Sequence, residues 1–306
     1  MTSLIYFENF LLVLYYIRIV KIEGLIDIIK SNLKFIEVII IITTIINLLM
    51  FFNKNGWDFI WDGKQFQSVY GFPHDACYLF ICMQAYCIIA FLYCQKNVYK
   101  YLVYLYFIFS CFTNARTPFF ISIFLVLLFA YKTIKNKSIF IFMVLLLLTI
   151  FILLNKIYNF IDYSDLPIIS KFIRGEETGN MTSSRDDIWN SILTGYYNYN
   201  FWGKIFGDGF GMSFKINTMY FGKALWSHND IYEILVSSGV LGIIIYLYSF
   251  LRTIKISENI IFIFVSIIVL FFNGLYTYYM FVLGMPVILL AVNRLSQVDF
   301  NEKEIL

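Results

Sequence analysis

The sequence predicts an all-α membrane protein: a polytopic helix bundle of about nine spans with one large, partly helical extracytoplasmic loop. Three observations carry this expectation. Hydrophobic residues make up 60% of the 306 residues and charged residues only 14%, with a mean hydropathy of +0.75, whereas soluble domains run nearer ~25% charged. Apolar runs recur along the chain at the length of about 20 residues that a helix needs to cross a bilayer core. One long polar stretch, residues 159–230, interrupts them. Such a chain has too little polar surface to cover a water-soluble globule.

The candidate spans, in order, are Leu4–Val20, Leu33–Phe52, Ala76–Cys94, Val98–Ala115, Thr117–Tyr131, Ile139–Tyr158, Ile231–Leu251, Ile260–Asn273 and Leu275–Asn293. The fourth and fifth meet at Thr113-Asn114-Ala115-Arg116-Thr117-Pro118, a tight turn with proline near a helix start. Three regions follow. Residues 1–158 form an N-terminal transmembrane bundle of six candidate spans, 159–230 the large extracytoplasmic loop, and 231–306 the C-terminal spans with a short cytoplasmic tail. Glu8 interrupts the first apolar run and no small-residue cleavage site follows, so no cleavable signal pattern is present.

Lysine and arginine in short loops resist translocation and so orient the chain. Lys21, Lys30 and Lys34 follow the first span, Lys96 and Lys100 the third, Lys132, Lys135 and Lys137 the fifth, Arg252 and Lys255 the seventh, and Arg294 the ninth. These loops alternate, so all can be cytoplasmic at once. The first residue then lies outside, which is unusual without a signal sequence; a parental architecture extending further upstream is one reading, and a misread first span is the other.

Several chemistries lack support. The net charge of +3 is small and scattered, whereas nucleic-acid binding needs a basic face. Cys77, Cys82, Cys87, Cys94 and Cys111 lie in or beside apolar runs with no C-x-x-C pair, which reads as buried thiols rather than zinc or redox ligands. Asp186-Asp187 has no further acidic cluster to complete a metal shell. No Walker motif, H-E-x-x-H or G-x-S-x-G element occurs.

His74, Arg116, Arg185 and His228 come from four separate stretches and fall on the same, external side of this topology. Taken singly, each reads blandly as a solvated loop residue. Ionisable groups at membrane depth usually face a cavity or a partner. Arg116 stands in a very short turn between two apolar helices, where its guanidinium can hold a phosphate bidentately; the plain alternative is a snorkelling arginine. Arg185 lies in Thr182-Ser183-Ser184-Arg185-Asp186-Asp187-Ile188-Trp189. There the serines suit N-caps and the acids suit a first helical turn, with a surface Arg–Asp pair as the bland reading. Gly207-Asp208-Gly209-Phe210-Gly211 is a glycine-rich turn but not a dinucleotide fingerprint. A stretch as long as 159–230 exceeds an ordinary connection. It carries Trp189, Trp202, Trp226, Tyr196, Tyr197 and Tyr199, whose rings suit a membrane interface or a sugar face.

These pieces, in this order, resemble the bacterial O-antigen polymerase and O-antigen ligase superfamily. Gly71-Phe72-Pro73-His74-Asp75 looks like its His-Pro-Asn-type element, and Asn114-Ala115-Arg116-Thr117 like its Ser-Arg-Thr/Gly turn. Arg185 with Trp189 looks like the Arg-x-x-x-Trp start of its large loop, and Gly207-Asp208-Gly209-Phe210-Gly211 like its Gly-x-Gly element. Ser227-His228-Asn229-Asp230-Ile231-Tyr232-Glu233, followed by Gly239 and Gly242, looks like its His-Asn-x-x-x-x-Glu motif with a glycine-rich helix start. The resemblance covers roughly Phe72 to Leu251. Asp75 stands where the family often has Asn, and the chain has fewer spans than the family's ten to twelve, the N-terminal part being the short one.

The resemblance implies a multi-pass glycosyltransferase of the bacterial inner membrane with its active face extracytoplasmic. Its donor would be an oligosaccharide on undecaprenyl pyrophosphate and its acceptor a second glycan, with a chain-length regulator and a flippase as candidate partners and no cofactor. Arg116 and Arg185 would bind the pyrophosphate, and His228 would accept the acceptor's proton. His74, Asp75, Gly207, Gly209, Gly211, Asn229 and Glu233 would line the substrate site. Pyrophosphate is already a good leaving group, so no metal is required. Polymerase and ligase share this chemistry, and the polymerase is the favoured expectation. A non-enzymatic exporter of polysaccharide or lipid-linked sugar is the third reading; it should carry charges through the bundle or show internal repeats.

Overall fold

The computed structural model describes residues 27, 30–60, 63–134 and 185–256, with single positions between 136 and 145 and between 288 and 295. Of these, 78% are helical. Among the described residues, three helices are long and apolar enough to cross a membrane: Leu33–Phe52, Pro73–Cys94 and Asp230–Tyr248. The protein is therefore a membrane protein. The expected spans Leu4–Val20 and Ile260–Asn273 lie outside the described residues, as do most of Ile139–Tyr158 and Leu275–Asn293.

The described residues fall in two compact units. The first, within residues 27–145, begins with α1 (Leu33–Phe52). Its buried residues Ile36, Ile40, Thr44 and Asn47 recur every three or four positions, so one narrow stripe faces protein. Ile41, Ile42, Ile45 and Leu49 stay exposed, as a lipid-facing surface requires. A turn of 3₁₀ helix, Lys54–Gly56, leads into an antiparallel hairpin of β1 (Trp57–Ile60) and β2 (Gly63–Phe66), with Trp57 opposite Phe66. The hairpin departs from the all-α expectation. Its signals were the alternation in Trp57-Asp58-Phe59-Ile60 and the Asp62-Gly63 dipeptide. It closes over an aromatic cluster in which Phe51, Phe66, Phe80 and Phe109 have ring centroids 5.2 to 5.7 Å apart along the chain of contacts.

Three helices then run up, down and up: α2 (Pro73–Cys94), α3 (Asn97–Cys111) and α4 (Arg116–Thr133). Pro73 occupies the first turn of α2, where its missing N–H costs nothing, and Gln95 ends the helix in the left-handed conformation. Between apolar helices in lipid, association relies on packing and interhelical hydrogen bonds rather than on burial from water. Gln84 supplies two of these bonds. Ser122 Oγ donates to its Oε1 at 2.6 Å, and its Nε2 donates to the Val103 carbonyl at 3.3 Å, so one α2 side chain ties α4 and α3. Thr44 and Tyr106 share a 2.9 Å bond between α1 and α3. Cys77, Cys82 and Cys87 are buried free thiols on α2.

The second unit comprises residues 185–256: α5 (Arg185–Tyr197), α6 (Phe201–Phe206), α7 (Met212–Phe221) and α8 (Asp230–Ile256). The first three make a small lobe around Ile188, Ile192, Ile216 and Val236. The sequence predicts a span over Ile231–Leu251, and residues 230–248 are long and apolar enough to be one. Within it α8 is broken at Gly239, whose φ of 66° and ψ of −165° are non-helical. Two contacts show how sharply it folds. Tyr246 Oη donates to Asp230 Oδ2, 16 residues away, a separation of about 24 Å in a straight helix. Gly242 lies so close to Ile234 and Ser238 that a methyl group there would crowd both. Hence residues 230–238 and 240–256 are two half-helices joined by an elbow. The second half rises about 25 Å, near the thickness of a bilayer core.

Candidate functional site

The site residues of the second unit cluster at the head of α8. Asn229 is its N-cap: the backbone N–H of Ile231 donates to Asn229 Oδ1 at 2.9 Å. His228, just before it, holds φ at 52°, a left-handed conformation uncommon outside glycine. Ser227 fixes that shape. Its hydroxyl donates to the Asn229 carbonyl at 3.1 Å and accepts from the Asn229 N–H at 3.4 Å, closing the backbone around His228. Trp226 packs its ring 4.5 Å from the imidazole at a 37° tilt. Strained residues held by several neighbours in this way concentrate at functional positions.

Arg185 reaches this loop through α5. The helix begins at Arg185 with Asp186 and Asp187 in its first turn, as the sequence pattern anticipates. The serines expected to cap it lie outside the described residues. Trp189, one turn on, shares the Arg185 face. Its Nε1 donates to the Ser227 carbonyl at 2.9 Å, and its ring stacks on Tyr232 at 5.5 Å and 18°. The tryptophan docks the helix onto the histidine loop and sets the guanidinium's charge beside His228. Burial, and secondarily the Arg185 charge, lower the imidazole pKa from 6.5 to about 4. At neutral pH the imidazole is therefore uncharged and has a lone pair free to accept a proton.

Glu233 stands one helical turn further along. Its N–H donates to the Asn229 carbonyl at 3.1 Å, and its side chain is wholly buried. The Ser213 and Ser227 hydroxyls face the carboxyl, yet neither Oε1 nor Oε2 closes a hydrogen bond among the described residues, and Ser213 Oγ closes none either. A carboxyl sealed this way supports the loop from within rather than meeting a ligand at the surface. Asp230, Ser237 and Tyr246 complete this buried polar interior. None of the three was assigned a site role from the sequence, and the only signal for them was polar residues seven and nine positions apart on an apolar helix.

The glycine-rich turn has a specific task. The N–H groups of Asp208 and Gly209 donate to the Val236 and Ser237 carbonyls, each at 3.0 Å. Those acceptors are among the orphans that the break at Gly239 leaves at the end of a half-helix. Gly207 lies flat against the Ser237–Ser238 backbone, and Gly239 against the Ile205 carbonyl and the Gly207 N–H, so a Cβ at either position would collide with main chain. The positive φ of Gly207, Gly209 and Gly211 lets the turn follow this path. Tyr199 Oη adds a 3.2 Å bond to Val236 O, and burial raises its pKa, keeping the phenol a donor.

In the first unit, His74 and Asp75 sit in the first turn of α2, both half-buried. Arg116 is the first residue of α4; its side chain lies outside the described atoms. Because α2, α3 and α4 alternate in direction with short connections, the start of α2 and the start of α4 share one end of the unit. Asn114 makes the turn before α4 with φ at 58°, and the Phe66 N–H donates to the Phe112 carbonyl at that same end. The structure thus brings Arg185, His228, Asn229 and Glu233 together in one unit, and His74, Asp75 and Arg116 to one end of the other. Among the described residues, no group of three or more His, Cys, Asp and Glu side chains is placed to hold a metal ion.

No family model, curated protein or solved structure matches the chain.

Proposed function

We propose that the protein is a membrane glycosyltransferase that polymerises oligosaccharide repeat units from an undecaprenyl-pyrophosphate donor into a surface polysaccharide, acting on the extracytoplasmic face of a bacterial inner membrane. The observation that carries this reading is the pairing of Arg185 with a neutral, conformationally held His228 at the head of a membrane helix. In the reaction the acceptor hydroxyl oxygen bonds to the donor's anomeric carbon. The bond from that carbon to the diphosphate oxygen breaks, and the hydroxyl proton passes to the imidazole. Arg185 receives the charge that develops on the departing diphosphate, where a fixed guanidinium in a poorly solvated site stabilises it most.

Burial is the larger cause of the low basicity of the resting imidazole, and the Arg185 charge adds to it. A dianionic donor beside the arginine offsets that charge, so His228 gains proton affinity when substrate is present. The roles of His74 and Asp75 rest on the sequence resemblance alone, and that of Arg116 on the resemblance and on its place in a short turn between two apolar helices.

The test is the length distribution of surface polysaccharide in a strain lacking the gene, complemented with wild-type or substituted chains. Wild type restores a long ladder. Arg185→Lys keeps the charge but loses the fork, and lowers polymer yield about a hundredfold, as removal of a transition-state donor does. His228→Asn, which tolerates the same backbone shape, loses it as well. Full-length chains stranded on the lipid carrier would convert the reading to a ligase. A ladder unchanged by deletion would overturn both enzyme readings in favour of an exporter.

A further inference from the structure

The lobe presents three large aromatic rings on its shortest helix. Phe201, Trp202 and Phe206 of α6 are 69%, 65% and 54% exposed. They form one apolar surface: Phe201 meets Trp202 edge-on at 5.4 Å, and Trp202 stacks on Phe206 at 6.0 Å. This is not a frayed end. Asn200 caps the helix through the Gly203 N–H at 2.8 Å, and Tyr196 Oη holds the Lys204 carbonyl at 3.0 Å. The turn that follows is hydrogen-bonded to α8. The chain therefore holds exposed rings in place, where a water-facing helix would turn them inward.

What covers them follows from where α6 is fixed. Ile205 and Gly207 lie against Gly239, at the elbow. The next residues of α8, Val240, Leu241, Ile244 and Ile245, are 42% to 58% exposed, the face that a membrane helix turns to lipid. From Gly239 to Arg252 and Lys255, the basic end of that half-helix, is about 20 to 24 Å along the axis. A core about 30 Å thick, bounded at one side by that basic end of the helix, then places the elbow near the interfacial layer of the opposite leaflet. Tryptophan and its aromatic neighbours concentrate at that depth.

We infer that α6 is an interfacial anchor: its Phe201, Trp202 and Phe206 rings enter the acyl-headgroup boundary of the bilayer beside the elbow of α8. The anchor fixes the height of the lobe, and so of Arg185 and His228, above the hydrocarbon. It does not depend on the transferase reading and holds equally for a transporter.

The test uses the full chain in phosphatidylcholine vesicles and compares tryptophan emission of wild type with Trp202→Phe. Lipids brominated high on the acyl chain and aqueous iodide serve as quenchers. The expected result is that the substitution removes a component quenched by the brominated lipid and leaves iodide quenching unchanged. Trp202→Tyr should lose the same component, which guards against a folding defect in one variant. If the lost emission is instead quenched by iodide alone, the rings face water and offer a platform for sugar, and the anchor is overturned. If neither quencher reaches it, protein covers the rings, as in a second copy of the chain, and the anchor is likewise overturned.

Discussion

Two helices with nearly the same hydropathy behave in opposite ways. The best windows of α2 and of residues 230–248 average 1.9 and 1.8 on the same scale. The α2 window is 72% buried, against 39% in α8, and α2 runs unbroken for 22 residues. Its polar contacts are local ties to neighbours, made by Gln84 and Ser122. α8 folds on itself at Gly239, encloses Asp230, Glu233 and Ser237, and takes two backbone donors from another segment. The difference lies in a few residues: two glycines where α2 has none between its ends, and two carboxyls three residues apart facing inward. Irregular backbone at membrane depth persists only where protein satisfies it, and the 205–209 turn does so here. Apolar content sets that a helix enters the membrane; the glycines and their donors set what shape it takes there.

The strongest way to break this contrast is at the elbow. Gly239→Ala places a Cβ against the Ile205 carbonyl in a left-handed backbone, so both the break and its clasp are lost. The expected outcome is near-complete loss of folded, monodisperse protein in detergent, read by size-exclusion yield. Gly209→Ala is the control. Its Cβ meets open space, so it costs only the left-handed strain of about 1 to 2 kcal/mol. A smaller yield loss for Gly239→Ala than for Gly209→Ala would sink the clasp.

Next in size is a pH effect confined to the unit of α8. His228 has a folded pKa of about 4, below its ordinary 6.5, so the unfolded chain binds the proton first as pH falls. The His228 contribution to stability is full above pH 6.5, declines down to about pH 4, and levels off below. At about 1.4 kcal/mol per pH unit the total reaches about 3 kcal/mol. Thermal unfolding across that window should show it as a stability difference between wild type and His228→Asn that shrinks as pH falls from 6.5 to 4. A difference that stays constant with pH would assign the titration to other groups.

The smallest effects compare single hydrogen bonds. Tyr246→Phe leaves a buried carboxyl short of the donor that spans the elbow; Ser122→Ala leaves Gln84 with its bond to Val103. Membrane hydrogen bonds average about 0.6 kcal/mol and reach about 1.7. Tyr246→Phe is expected at the upper figure and Ser122→Ala at or below the lower, measured as shifts in unfolding midpoint. Equal shifts would mean that the elbow bond is worth no more than an ordinary interhelical tie.

How much of this was readable from the residues depends on the physical signal. The limits of α1 follow from its apolar run alone, and those of α2 from the same run plus Pro73, which opens the helix before the hydrophobic stretch begins. The start of α4 was marked by the Thr113–Pro118 turn, and the start of α5 by its acids. Arg185 and Trp189 were paired through the Arg-x-x-x-Trp pattern of the resemblance, and the four-residue spacing puts them on one helical face. The fold in α8 was not readable, because hydropathy averages over a window and carries nothing about one residue's φ. Gly239 and Gly242 were noticed, but a glycine in an apolar run looks the same whether it packs against a neighbour or reverses the chain. The hairpin was passed over because its strands are four residues each in a segment read as a loop. The role of Gly207-Asp208-Gly209 as a cap for another helix could not be read locally, since its partners lie 28 residues downstream in the chain.

The order of those segments has a consequence for how the protein is made. Asp208 and Gly209 precede Val236 and Ser237 in the chain, so synthesis delivers the donors before the acceptors. When the head of α8 emerges, with two carboxyls that resist burial, its elbow can close at once against a turn that α5 and α6 have already shaped. Carbonyls freed at Gly239 then need not wait unpaired at the membrane boundary. A chain rearranged so that residues 205–209 followed α8 would carry every one of these contacts in its finished form, and would still have to insert the broken helix with nothing to receive it.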